Sequence, residues 1–178
     1  MTTPNDSVLN AWRINARATV YLIEQIPPGL WRGAPPSSPR RSVGSVFAHL
    51  HNSRRLWVKC LAPGGQVQAP SLLGPGAARR DTAKALAASA AAVQALLESG
   101  LEHGGQFPGV SSAFFYGAMP RDVLLFVGYA LSHEAHHRGQ VLCMARELGH
   151  RLPPKAAGGL WQWSSRLKEC RSKPTPRG

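Results

Sequence analysis

Apolar positions recur at helical spacing in four long stretches of the chain, and no stretch alternates convincingly with the period of two that marks a strand. In the first, Leu9, Trp12, Ala16, Thr19, Leu22 and Ile26 form one broad face. Asn5, Asp6 and Ser7 are good N-caps, so a helix is expected from there to Ile26, where Pro27 and Pro28 stop it. The second follows Val43, Val46, Phe47, Leu50, Trp57 and Leu61, with Ser42 as its cap and Pro63 beyond its end. Asp81 is expected to cap the third, which crosses an alanine-rich middle and stops at Gly100. Pro120 suits the first position of the fourth and longest helix, and Gly149 its C-terminal cap.

Residues 27–41 and 63–78 are rich in proline and glycine and read as loops, and 101–119 carries turn signals without regular pattern. After the fourth helix, GGLWQW reads as a short helix or a packed arm, and RSKPTPRG as a disordered tail. The pattern therefore predicts an all-α domain over residues 1–154, a four-helix bundle with long inter-helix loops, followed by an arm and basic tail over 155–178. Loop lengths this long leave the order of helices around the bundle open.

Composition narrows the class. The chain has 178 residues, 43% of them hydrophobic, enough for a single core without disulfides. Cys60, Cys143 and Cys170 are odd in number and irregular in spacing, which suits reduced thiols of a cytoplasmic protein. The N-terminus lacks the basic and apolar regions of a secretory signal. The longest apolar run, Val123 to Val127, falls far short of the ~20 residues of a membrane span. The net charge of +12 admits a nucleic-acid partner, with pairs at Arg40–Arg41, Arg54–Arg55 and Arg79–Arg80 and a basic tail. No nucleic-acid motif accompanies it, and the Arg, Ala, Gly and Pro bias of a GC-rich genome accounts for it as simply.

The chemistry lies in the histidines. His133 and His137 are four apart and share a helix face. They interrupt the line Phe126, Ala130, Val141, Met144 and Leu148, which is otherwise apolar. His49 interrupts the corresponding line of the second helix, beside Val46, Leu50 and Trp57, so it should face inward or nearly so. Three inward imidazoles satisfy one another poorly by hydrogen bonds, whereas one divalent cation would satisfy all three. His136 lies about 100° from His137 around the helix and should not share that ion; it and His51 are expected to face solvent or to support the ligands. His133, Glu134 and His137 also spell the zinc-protease pattern HExxH, in which the glutamate is the general base. No third protease ligand follows at the required spacing, so Glu134 is kept only as a candidate base beside the ion.

The combination of VFAHLHNSRRLWV in the second helix with HEAHHRGQV and a following ELG in the fourth resembles the DinB/YfiT-like superfamily, over about Asn10 to Leu152. The resemblance implies an up-down-down-up four-helix bundle and one divalent metal on three histidines. By position these are His49, His133 and His137. It also implies activities of two kinds: transfer to a low-molecular-weight thiol, and hydrolysis or sequestration of reactive metabolites. The expected protein is thus a metal-dependent small-thiol S-transferase acting on an electrophile, with Zn, Ni, Fe or Mn as its ion. A hydrolase using metal-activated water and a non-enzymatic stress-response or DNA-binding module are the alternatives. A homodimer is compatible with a bundle of this size. Gly139, mid-helix, is expected to serve close helix packing, since glycine there costs ~1 kcal/mol against alanine.

Overall fold

Helix starts are decided by side chains that reach unpaired backbone N–H groups. In the computed structural model, which describes residues 3–62, 64–65, 67–108 and 120–172, the helices are α1 (Pro4–Gln25), α2 (Val43–Leu61), α3 (Arg79–Glu102), α4 (Val123–Glu147), α5 (Pro154–Gly159) and α6 (Trp163–Ser172). No strand occurs among the described residues, so the fold is all-α. Ser42 caps α2 as expected. The other starts differ from expectation. Thr3 caps α1: its hydroxyl accepts from the Asp6 N–H at 3.1 Å while the Asp6 carboxylate accepts from the Thr3 N–H at 2.9 Å, a reciprocal box. α3 begins at Arg79, and Asp81 sits in its first turn, where a carboxylate favours the helix dipole. α4 begins at Val123 rather than Pro120, because Asp122 Oδ1 accepts from the Leu124 and Leu125 N–H groups, both at 2.9 Å. Gly149, at φ +78°, ends α4 with the His150 N–H donating to the Ala145 carbonyl at 2.8 Å.

Two glycines depart from the roles expected of them. α3 runs through Gly100 to Glu102, and a Cβ on Gly100 would lie 2.6 Å from Val123 Cγ2 and 2.8 Å from Phe107 Cε1. Close approach of α4 requires that glycine. A Cβ on Gly139 would meet nothing within 4 Å, so no neighbour packs tightly there.

Cross-helix contacts fix the directions. Trp12 Nε1 donates to the Ala90 carbonyl and Arg79 to the Ile23 carbonyl, so α1 and α3 run antiparallel. Trp12 shares one apolar cluster with Phe126 and Leu22 the other with Val141, so α1 and α4 run parallel, and between those clusters Asn15 and Thr19 bond Glu134 and Arg138. His49 meets His137 while Trp57 meets Phe126 edge-on, so α2 and α4 run antiparallel. α2 also packs on α3, and α6 on α1. Arg17 and Arg166 both reach Glu169, at 2.6 and 2.7 Å, and Arg166 lies over the Tyr21 ring. Arg171 and Ser172, expected in the tail, are therefore the end of a packed helix; residues 173–178 and the irregular stretch 109–119 lie outside the described residues.

The core is split. One apolar cluster gathers Trp12, Trp57, Val93, Leu96, Phe107 and Phe126; the other gathers Leu22, Phe47, Leu50, Leu86, Val141 and Met144. Between them along α1, α2 and α4 lie the buried polar residues Asn15, Thr19, Arg54 and Glu134. Among the described residues no helix is long and apolar enough to cross a membrane.

Candidate metal centre

His49 on α2 and His133 and His137 on α4 meet beside this polar belt. One ring nitrogen of each lies within 4.8 Å of the others. His49 Nε2 is 3.1 Å from His137 Nε2, and the ring centroids of His133 and His137 are 4.5 Å apart. His137 is buried, His133 half-buried, and His49 exposed at the rim, which is less inward than its place on the apolar line of α2 implied. The cluster therefore has a closed protein side and one side toward solvent.

The rings are held from behind. His137 Nδ1 lies 2.8 Å from Gln140 Oε1; since a carbonyl oxygen only accepts, Nδ1 carries the proton and the Nε2 lone pair points into the cluster. Gln140 in turn donates to Nε2 of the exposed His136, 3.0 Å away. His133 packs edge-on to Trp57 and beside Tyr129. Ser53 Oγ stands 3.4 Å from His49 Nε2.

Electrostatics favour neutral rings. Burial, and then the neighbouring His137, push His133 down to about 4. The same causes push His49 to about 4, although its outer surface is open. Burial lowers His137 as well, against the Gln140 bond, which raises it. Neutral imidazoles are the form that ligates a metal.

The residues fit a divalent cation. Three neutral lone-pair donors converge with no proton donor placed to serve them all, so His49 Nε2 must give its own proton to His137 if nothing else is bound. His133 Nδ1 is buried and has no hydrogen-bond partner among the described residues. The donor set, three nitrogens and an open side, is that of sites that keep a position for substrate.

Glu134 is placed elsewhere. Its carboxylate is fully buried and takes two short bonds from Arg54, 2.6 and 2.8 Å, one from Asn15 at 2.9 Å and one from Thr19 at 2.8 Å. Burial opposes its ionisation most strongly, but Arg54, Arg138 and Thr19 together hold the carboxyl below the usual carboxylate range. Arg54 is the residue that sequence reasoning missed. The pair Arg54–Arg55 read as surface charge, yet Arg54 is 0% exposed. The signal was available: Arg54 interrupts the line Phe47, Leu50, Trp57, Leu61 on α2 just as Glu134 continues the line Phe126, Ala130, Val141 on α4, with opposite charge. His51 is also buried, its ring nitrogens 2.8 and 2.9 Å from the Ala85 and Ser71 carbonyls, and does not face solvent.

An all-helical domain with three converging histidines on two antiparallel helices defines a protein able to hold a metal ion. The chain belongs to the DinB family, whose family model matches residues 1–168. No curated protein and no solved structure matches it.

Proposed function

We propose that the protein is a metal-dependent enzyme of the DinB family, a small-thiol S-transferase acting on an electrophile, built as an up-down-down-up four-helix bundle. The helix directions above support the bundle: α1 and α4 run one way, α2 and α3 the other. The observation that carries the function is the set of three neutral histidines converging under an open rim. A divalent ion held there would keep a coordinated thiol deprotonated at neutral pH.

The chain's own residues then have separate tasks. His49, His133 and His137 hold the ion; Gln140 fixes the His137 tautomer that presents Nε2. Trp57 and Tyr129 wall the His133 side with apolar surface, which would keep water from that side of the site. The rim beside His49 admits the electrophile. Glu134, committed to Arg54, keeps α4 in register with α1 and α2 and so positions the two histidines that flank it; it is not offered as the base.

Elemental analysis of untagged protein beside the His49→Ala, His133→Ala, His137→Ala variant tests the site. About one equivalent of transition metal in the parent and none in the variant is expected. Turnover of an alkylating probe that requires an added low-molecular-weight thiol is the expected activity; turnover without thiol would assign hydrolysis instead. Absence of metal even after incubation with Zn, Ni or Mn would sink both.

A further inference from the structure

Glu134 faces two guanidiniums, not one. Arg54 takes both of its oxygens, and Arg138 Nη1 lies 3.6 Å from Oε2. Two cations against one carboxylate leave the cluster with one positive charge in excess. Arg54 is fully buried, whereas the Arg138 side chain keeps 14% of its surface. Its Nη1 is tied to Asn15 Oδ1 at 2.8 Å and Thr19 Oγ1 at 3.0 Å, which fixes the guanidinium in place. The surface it keeps lines a groove of about 380 Å³ between α4 and the α5–α6 turn. This volume lies within the roughly 300–1,000 Å³ of small-molecule sites.

The groove is walled for a flat apolar body. Trp12, Trp31 and Trp57 are buried, but Trp161 is 83% and Trp163 46% exposed, and both line the groove. Leu131, Leu142 and Leu160 complete its apolar lining. Its floor is kept low by Gly139, where a Cβ would meet nothing within 4 Å, which gives that glycine the role that close helix packing does not. At about 100° per residue the lining residues of α4 stand on the face opposite His133 and His137, so the groove is separate from the metal centre.

We propose that this groove is a second binding site, for a small anion with a flat apolar body such as an aromatic carboxylate. The ring lies against Trp161 and Trp163, where aromatic faces stack. The carboxylate pairs with Arg138 and supplies the charge that Glu134 leaves unbalanced. Arg138 is fixed before binding, so little side-chain order is lost on pairing. The proposal does not depend on the metal reading.

The test is calorimetric titration of the full chain with 2-naphthoate, beside its neutral analogue 2-naphthylmethanol. Saturable binding of the acid is expected, with the alcohol weaker by about tenfold or more. Gly139→Leu, whose Cβ meets nothing within 4 Å, puts its side chain on the floor, and should weaken binding by about tenfold or more while circular dichroism and thermal unfolding stay those of a folded helical protein. The Trp161→Ala, Trp163→Ala variant should weaken it likewise, and the triple histidine variant should bind as the parent does. No binding by the parent, equal affinity for the alcohol, undiminished binding by a folded Gly139→Leu protein, or loss of binding in the histidine variant would each overturn the proposal. A parent dimer that Gly139→Leu dissociates would overturn it too, by giving the groove to a second copy of the chain.

Discussion

His133 and Glu134 are neighbours in sequence, yet they stand in regions of opposite character. Around Glu134 the carboxylate is saturated: four hydrogen bonds under 3 Å converge on it with no surface exposed. Around His133 the groups are neutral, one nitrogen has no partner among the described residues, and the open rim admits solvent. The difference separates two uses of buried polarity. A saturated network orders the helices that make it. A convergent set left unsatisfied by its own chain is prepared for something else.

The largest effect should come from breaking the saturated side. Glu134→Ala strands Arg54 without its counter-charge, and loss of one partner of a buried pair costs about 3–5 kcal/mol. Urea unfolding of the variant would measure it; a loss below about 1 kcal/mol would place the pair among those that contribute little. On the other side, the effect should appear only with metal. At an ion concentration of about 100 times Kd the parent gains about 2.7 kcal/mol, and His133→Ala gains none. Thermal unfolding with and without Zn or Ni reads the contrast directly.

Gln140→Ala is a finer probe, because it leaves all three histidines of the cluster and removes the bond that sets the His137 tautomer, together with the one to the exposed His136. Metal affinity should fall by about 10–100-fold in competition with a chelating dye. The smallest effect is on acid response of the metal-free protein. His133 is held at about 4, below the ordinary value of about 6.5. The unfolded chain therefore binds more protons between those values, and stability falls as pH drops through that window. His133→Gln should flatten the slope there, with unfolding followed at intervals from pH 7 to 4.

The three converging histidines were legible in the sequence because each breaks an apolar line on one helix, and a line needs only local spacing to be seen. What joins them did not show. Arg54 and Glu134 are 80 residues apart; Arg54 looks like ordinary surface charge and Glu134 like a base beside the ion until both stripes are read together. The start of α4 escaped for the opposite reason: Pro120 is a good local signal, but Asp122 offers two bonds where proline offers none. Gly100 and Gly139 departed from their expected roles because nothing in their immediate neighbours reveals whether another helix comes close. The packed α6 was hidden by its charge, since Glu169 draws Arg17 and Arg166 together only once the arm has folded back.

The split core has a consequence for how the molecule comes apart. Each of α1, α2, α3 and α4 contributes to both apolar clusters, so the polar belt marks no boundary between lobes. One cluster cannot open without breaking four helices in mid-length, which forfeits their hydrogen bonds as well as their packing. Amide protons on either side of the belt should therefore exchange through one shared cooperative opening, and the three clustered histidines, which sit at the seam, gain the rigidity of both halves.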